Sequence, residues 1–231
     1  MKKTFVLISL LFVFVNITFS QEYYRFFADV SVKYKNDKSE GSLTMAKLYY
    51  DKNISKIVQE VYFPDKAILV ITDSASYRIE NYKAIKTANY DPKLNFLKNT
   101  MFHLLLENKL NTYGLEHSAF KKTQVEKDKG MIFTTWMPPD KLKDMIGKVV
   151  IGTKDQMLKA VLFFGKDDNL LSKQLFKKPK LIDGLMVPTE ILQIFYNPDG
   201  TEKAYQMTTF KNIKINEAGK DNIYNYPLYF K

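Results

Sequence analysis

Side chains that could carry out covalent or metal chemistry are scarce in this sequence. Its 231 residues include two histidines, His103 and His117, and no cysteine. The lack of cysteine excludes a thiolate metal site, a thiol nucleophile and a disulfide framework. Two histidines far apart in the sequence do not complete a metal site without further ligands. We therefore expect no metal and no cofactor, and we interpret His103 as a residue on the face of a helix.

A pair of neighbouring carboxylates, Asp167 and Asp168, is the remaining candidate for acid–base chemistry. The pair falls between two strand-like segments, which predicts a turn instead. The sequence contains no G-x-S-x-G elbow, no phosphate-binding glycine loop and no H-E-x-x-H motif. Carboxylates distant in sequence could still meet in the folded chain, but the residue pattern favours a protein that is not an enzyme.

The first twenty residues have the composition of a secretory signal peptide. Two lysines precede an apolar stretch from Phe5 to Val15, and Thr18-Phe19-Ser20 places small residues before a cleavage site at Gln21. The stretch is shorter than the roughly 20 residues that cross a bilayer, which argues against a retained anchor helix. Because no cysteine follows, we expect a protein without a lipid anchor, exported to the periplasm of a bacterial envelope. No linker, low-complexity run or repeat divides residues 21–231, so we expect them to form a single domain.

The charge of the chain narrows the choice of partners. The formal net charge is +10, and only Arg25 and Arg78 are arginines among the basic residues. No arginine-rich patch offers the bidentate base contacts of specific DNA binders, so we expect no nucleic-acid partner. Two interpretations of the lysines remain open. They keep the surface soluble and protect sheet edges, or they draw the protein to an anionic membrane surface.

Alternating polar and apolar residues predict β-strands over most of the chain. Turn residues separate these segments, as in Asn36-Asp37-Lys38 and Asn197-Pro198-Asp199-Gly200. From about Pro92 the period changes, because Leu97, Met101, Leu104 and Leu105 recur at three- and four-residue spacing. This spacing predicts one long helix that ends near Leu110. A short second helical turn is predicted near Asp140.

The segment from Gly165 to Asn216 carries turn and strand residues in a particular succession. They are Asp168-Asn169-Leu170, Ile182-Asp183-Gly184, Val187-Pro188, Asp199-Gly200, and then Phe210, Ile213 and Ile215. This succession resembles the end of the LolA/LolB-like proteins, the superfamily of periplasmic lipoprotein carriers. The earlier segment VYFPDKAILVITDSASYRIEN is similar to the amphipathic segment before the middle of that family's sheet. A signal peptide without a lipid-modified cysteine is similar to that of the soluble carrier and unlike that of the anchored receptor.

The resemblance implies a fold, a function and partners. The expected class is α+β: an unclosed antiparallel β-barrel of about eleven strands wrapped around one long helix and one short one. The implied function is that of a carrier whose apolar cavity, between sheet and helix, shields the acyl chains of lipoproteins or other lipids from water. An outer-membrane receptor would be its partner in transfer.

The residues expected to line such a cavity are large, apolar and spread over the strands and the helix. Concave apolar pockets are where hydrophobic ligands bind. The alternative for each residue is that it fills a core without a void. The candidates are Leu69, Ile71, Phe102, Leu105, Leu106, Phe133, Trp136, Leu162, Phe164 and Leu192.

The C-terminal segment Ile223–Phe230 contains four aromatic residues within eight positions. One interpretation is a segment that packs against the edge of the sheet. The other is a tail that touches a partner, because tyrosine favours wet interfaces. The second interpretation supports a competing function, that of a non-enzymatic envelope scaffold which binds a protein through its sheet edge and this tail.

Overall fold

Thirteen antiparallel strands form one sheet in the computed structural model, which describes residues 22–38, 40–91 and 96–229. The predicted signal peptide lies outside the described residues. The strands are β1 Arg25–Asn36, β2 Gly41–Asp51, β3 Lys56–Phe63, β4 Ala67–Thr72, β5 Ala75–Glu80, β6 Lys83–Asn89, β7 Lys121–Asp128, β8 Met131–Met137, β9 Val149–Lys154, β10 Met157–Phe164, β11 Leu170–Ile182, β12 Leu185–Tyr196 and β13 Glu202–Ile215.

The sheet is unclosed and runs in the order β6-β5-β4-β3-β2-β1-β13-β12-β11-β10-β9-β8-β7. Two meanders therefore meet where β1 pairs with β13, and β6 and β7 form the two edges. The expected count of about eleven strands was too low. The edge strand Lys83–Asn89 escaped prediction because most of its residues are exposed, so it lacks the alternating apolar residues that identify a strand.

The two faces of the sheet carry different hydrophobic clusters, because successive strand residues point to opposite sides. On the inner face, Phe26, Ala28 and Val30 of β1 pack with residues of the chain that crosses from β6 to β7. On the outer face, Phe27 of β1 packs with a smaller cluster that includes Tyr49. We use inner face and outer face in this sense throughout.

The predicted long helix was wrong: a series of short helices takes its place. Helix α1 spans Met101–Leu106, and 3₁₀ helices span Phe96–Asn99, Leu110–Thr112 and Leu115–His117. Thr100 has an extended backbone and caps α1, and Asn108 has a left-handed backbone with φ 54° that ends it. We call residues 96–117 the helical segment. With two short α-helices in the described residues, the fold is mostly β and not the expected α+β.

Close packing accounts for the breaks in the helical segment. Gly114 has φ +72°, and a Cβ atom there would lie 2.7 Å from a methyl group of Leu104. Leu104, Leu105 and Leu106 are all buried, so consecutive residues of α1 meet the protein on different sides. The many apolar residues of α1 thus belong to a short helix that the protein surrounds on several sides.

The C-terminal segment packs on the outer face of the sheet. One interpretation of the sequence places it against the sheet edge instead. Helix α2, Asp221–Tyr224, brings Tyr224 into the outer cluster, and the Tyr224 ring lies 5.4 Å from the ring of Tyr49. Arg25 fixes this arrangement by bonding Asp51 at 2.8 Å and Asp221. Its guanidinium also lies 4.4 Å from the centroid of the Tyr224 ring. Only Tyr229 of the described tail tyrosines is strongly exposed, at 92%.

Several local predictions are confirmed. The Ile182-Asp183-Gly184 turn joins β11 to β12, with Asp183 and Gly184 both at positive φ, as a tight hairpin requires. Asp168 also lies in a turn, where it bonds Lys148 at 2.8 Å. None of the helices in the described ranges is long and apolar enough to cross a membrane.

Candidate ligand-binding site

An aromatic cluster lies on the inner face beneath the helical segment. The ring of Phe102 from α1 lies 5.0 Å from the ring of Phe26 and 5.9 Å from that of Phe210. Phe26 and Phe210 come from β1 and β13, the strands at which the two meanders meet. The helical segment therefore sits over the middle of the sheet, and its apolar side chains are directed at the inner face.

Two polar contacts tie α1 to strand β2. The hydroxyl of Tyr50 lies 2.8 Å from Nδ1 of His103. Burial lowers the pKa of His103 and raises that of Tyr50, so both groups are neutral near pH 7. A hydrogen bond joins the hydroxyl and the imidazole nitrogen, and the tautomer of the neutral ring decides which of the two donates.

An ion pair forms the second contact. Nζ of Lys52, just after β2, lies 2.7 Å from a carboxylate oxygen of Glu107, and Nζ of Lys109 lies 3.1 Å from its other oxygen. The hydrogen bond from Lys52 lowers the pKa of Glu107 to about 2. Together with the tyrosine–histidine contact, this pair connects the end of α1 to the sheet through a few polar groups.

A cavity of about 400 Å³ opens where the helical segment meets the ends of β10, β11 and β12. Its apolar lining includes Leu105, Leu110, Leu158, Phe176 and Leu185. Its polar lining includes the amides of Asn108 and Asn111, the Asp155-Gln156 turn and Lys159. The volume falls within the range of roughly 300–1,000 Å³ that small-molecule sites occupy.

A second cavity of about 210 Å³ lies on the other side of Phe176, which lines both. Phe102 and Tyr113 of the helical segment cover it, and its floor is formed by β11, β12 and β13. A third, of about 270 Å³, lies beside Trp136 between the helical segment and β8. The helical segment is thus flanked by voids on the face of the sheet that it covers.

The structure brings some of the predicted cavity residues together. Phe102 lines the 210 Å³ cavity, Leu105 the 400 Å³ cavity and Trp136 the 270 Å³ cavity. Leu106 is buried in the inner cluster and Ile71 packs against it. Leu69 is partly buried on the same face, two residues from Ile71 along β4.

The remaining predicted residues, like Leu69, Ile71 and Leu106, do not line these cavities. Phe133, Leu162 and Leu192 lie on the outer face, because each pairs across the sheet with a neighbour on that side. The ring of Phe164 is covered by Lys148, whose Nζ lies 4.8 Å from the ring centroid. Strands β8 to β12 are apolar on both faces, so alternation alone did not identify the side that faces the helical segment.

Sequence reasoning also missed residues that line the voids. Phe176 separates the two cavities that lie on either side of it. Gln174, Gln193 and Gln206 are polar residues on the inner face and were not considered for an apolar site. A signal was present for two of them: Gln193 lies between Leu192 and Ile194, and Gln206 lies between Tyr205 and Met207, so alternation places both on the face opposite these residues.

The groups first considered for chemistry lie apart. His117 is exposed in the last 3₁₀ helix of the helical segment, whereas His103 is held by Tyr50. Within the described ranges, no group of three or more histidine, aspartate or glutamate side chains could hold a metal ion.

Comparison with solved structures identifies the fold. The chain is similar to a LolA superfamily protein from Nitrosomonas europaea, with a TM-score of 0.56 and 11% identity over 89% of this chain and 91% of the other. The chain therefore has the same fold as this LolA superfamily protein. A domain described as an outer membrane lipoprotein-sorting protein, from Vibrio parahaemolyticus, gives a TM-score of 0.57 at 12% identity over 87% of this chain and 89% of the other.

A DUF1329 family protein from Desulfovibrio piger shares the same LolA-like fold. It gives a TM-score of 0.52 at 13% identity over 88% of this chain and 90% of the other. By sequence, no family model and no curated protein matches. The resemblance first noted in the turns of residues 165–216 is therefore confirmed at the level of the fold.

Proposed function

We propose that this protein is a periplasmic carrier that holds the acyl chain of a lipoprotein or another lipid, and that it catalyses no reaction. The observation that supports the proposal is the position of the helical segment. It covers the apolar inner face and leaves cavities of about 400 and 210 Å³ that meet at Phe176. The LolA fold supports the same function, because one similar protein is described as a lipoprotein-sorting domain.

Burial of the acyl chain supplies the free energy of binding. Each methylene removed from water contributes on the order of 0.8 kcal/mol. A chain of sixteen carbons would then provide roughly 10 kcal/mol before the cost of ordering it is subtracted. No catalytic group is needed for such a function, only an apolar surface that is covered in the free protein.

Entry of a long chain requires the helical segment to move. α1 is only six residues long, and its polar ties to the sheet are the Tyr50–His103 contact and the Lys52–Glu107 pair. A partly exposed ion pair of this kind is worth about 1 kcal/mol or less. These polar ties add little to the cost of opening. Most of that cost is the exposure of Leu104, Leu105 and Leu106, which the acyl chain offsets by replacing their contacts with the sheet.

The partners of such a carrier follow from its surface as well as its cavity. The protein has a formal net charge of +10, which favours contact with an anionic membrane surface. An outer-membrane receptor that takes over the cargo belongs to the same proposal. The alternative, a scaffold that binds a protein through the sheet edge and the aromatic tail, predicts neither copurifying lipid nor saturable uptake of an apolar probe.

The proposal is tested by ligand binding in two steps. Native mass spectrometry of protein taken directly from cells should reveal bound lipid. The purified protein should bind the neutral fluorophore N-phenyl-1-naphthylamine saturably, and acylated compounds should displace it. The absence of both bound lipid and saturable binding would refute the carrier function.

A variant locates the binding site. Met157 lines the 400 Å³ cavity and is partly buried, so Met157→Trp should fill part of the void. If the larger ring displaces about two methylenes of the ligand, binding weakens roughly tenfold. Met145→Trp is the matched control because Met145 is 78% exposed and does not line the cavity. Equal affinities of the two variants would place the ligand elsewhere.

A further inference from the structure

Three of the chain's seven glutamines lie abreast on the inner face of the sheet. Gln174 of β11 pairs with Gln193 of β12, which pairs with Gln206 of β13. Paired residues on adjacent antiparallel strands have Cα atoms about 4.5–5.5 Å apart, so the three amides form a continuous row. We call Gln174, Gln193 and Gln206 the glutamine row.

The glutamine row forms one side of the 210 Å³ cavity. The rest of its lining is apolar or hydroxyl-bearing: Met101, Phe102, Tyr113, Phe176, Ile191, Thr208 and Phe210. No charged side chain belongs to this lining, although the chain contains 35 lysines and arginines. The cavity therefore combines aromatic rings with neutral hydrogen-bonding groups.

The hydrogen bonds already formed leave the row able to bind a ligand. The hydroxyl of Tyr113 donates to Oε1 of Gln174 at 3.2 Å, which leaves the NH₂ group of Gln174 as a donor. Nε2 of Gln206 lies 3.5 Å from Oγ1 of Thr208, a long contact that leaves its carbonyl as an acceptor. Within the described chain, no hydrogen bond is formed by the side chain of Gln193.

We propose that the glutamine row recognises the uncharged ester or amide linkage of an acylated ligand and discriminates against a free fatty acid. This inference rests on the proposed carrier function and names its ligand class. An ester carbonyl accepts from the glutamine NH₂ groups, and an amide N–H donates to their carbonyls. The acyl chain runs from this linkage into the apolar space around Phe176.

Discrimination follows from the absence of positive charge in the cavity lining. An ionised carboxylate placed there would lose its hydration without gaining a countercharge, which is costly in an apolar environment. An ester or amide loses less hydration free energy than a carboxylate on leaving water, and hydrogen bonds to the glutamine row compensate for that loss. The site thus accepts acyl groups that are covalently linked to glycerol or to a peptide.

The test compares two probes with the same chain, 1-monopalmitoylglycerol and palmitate, by displacement of N-phenyl-1-naphthylamine from the purified protein at pH 7. We expect the neutral ester to bind at least about tenfold more tightly, because the buried carboxylate has no partner. Gln193→Leu should reduce this preference by about 3- to 10-fold, the effect of one neutral hydrogen bond.

Gln59→Leu provides the matched control. Gln59 lies on the inner face opposite Leu69 but outside the cavity, so this variant should keep the preference of the unaltered protein. Equal affinities for the two probes, or an unchanged preference in Gln193→Leu, would overturn the assignment of the row while the carrier function stands. If neither probe displaces the fluorophore, the proposed ligand class fails. The carrier function fails with it only if the protein also brings no lipid from cells and does not bind the fluorophore saturably.

Discussion

At the scale of single residues, His103 joins the helical segment to strand β2. Its Nδ1 lies 2.8 Å from the hydroxyl of Tyr50, and burial lowers its pKa from 6.5. The charges that act on it are Glu107, which favours the protonated ring, and Lys52, Lys98 and Lys109, which oppose it. Protonation gives both ring nitrogens a proton, so Nδ1 can then only donate to the Tyr50 hydroxyl.

This environment predicts how stability depends on pH. A histidine with a lowered pKa in the folded state binds protons more readily when the chain is unfolded. Its contribution to the free energy of unfolding is therefore complete above pH 6.5 and decreases as the pH falls below that value. His103→Gln should therefore flatten the fall in the free energy of unfolding between pH 7 and pH 5.5, as measured by urea titrations. The pKa of Glu107 is about 2, so its contribution changes only below about pH 4.5.

His117→Gln serves as the control for this measurement, because His117 is exposed in a 3₁₀ helix. Its pH profile should match that of the unaltered protein. If the free energy of unfolding of His103→Gln falls with pH as steeply as that of the unaltered protein, protonation of His103 does not weaken the contact between α1 and β2.

Residue patterns predicted the site only in part. Phe102, Leu105 and Trp136 were recognised because they are large and apolar, and each lines a void. Leu192 has the same character but lies on the outer face. Gln193, its neighbour in sequence, lines the cavity instead. Which of two adjacent residues faces the helical segment depends on the register of the whole sheet. A local residue pattern does not determine that register.

At the scale of elements, turns were more predictable than helices. The Asp183-Gly184 turn is determined by two adjacent residues whose conformations match a tight hairpin. The helical segment depends instead on its surroundings, because Gly114 is packed against Leu104 ten residues earlier. The three- and four-residue spacing from Leu97 to Leu105 correctly located helical structure and overestimated its length.

The C-terminal element gives a prediction that separates the two interpretations of the aromatic tail. Tyr224 is fully buried on the outer face, against Tyr49 and beneath the guanidinium of Arg25. Tyr224→Ala should lower the free energy of unfolding by about 3 kcal/mol, as expected for a buried aromatic ring replaced by alanine. Urea denaturation followed by circular dichroism measures this change.

Tyr229→Ala is the matched control, since Tyr229 is 92% exposed, and its effect should be below about 0.5 kcal/mol. Similar small effects for both variants would show that the tail is not part of the folded core. In that case the tail would be free to serve the scaffold function that the sequence left open.

At the scale of the whole molecule, the outer face divides into two regions. The C-terminal segment covers the region around Tyr49 and Val58. Over β11, β12, β13 and β1, paired outer-face residues form two rows of lysine and apolar side chains. The first row is Leu175, Leu192, Met207 and Lys33, and the second is Lys173, Ile194, Tyr205 and Lys35.

From this combination we propose an anionic membrane, and not a protein, as the partner of the lysine-bearing rows. Protein interfaces are enriched in arginine and depleted in lysine, whereas the chain has only two arginines, and neither belongs to these rows. Lysine acts as a hydrated point charge and needs no fixed geometry to attract lipid headgroups. Tyr205, 41% exposed between Ile194 and Lys35, is suited to the boundary between headgroups and acyl chains.

Charge reversal tests whether the outer face contacts the membrane. The double variant Lys35→Glu/Lys173→Glu should weaken binding to vesicles of phosphatidylglycerol and phosphatidylethanolamine by at least about 30-fold, because each lysine near an anionic surface contributes on the order of 1 kcal/mol. Flotation of the protein with vesicles at several salt concentrations measures the effect. Binding should decrease with salt, since exposed charges are screened within about 8 Å at physiological ionic strength.

The control for this experiment is Lys122→Glu/Lys127→Glu, which changes the net charge by the same amount. Both residues lie on the edge strand β7 and pair with inner-face positions of β8, Trp136 and Ile132. This variant should bind vesicles nearly as well as the unaltered protein if the outer face makes the contact. Equal losses for the two variants would assign membrane attraction to net charge alone. A membrane bound at the outer face leaves the opposite face, with the helical segment and its cavities, free to open.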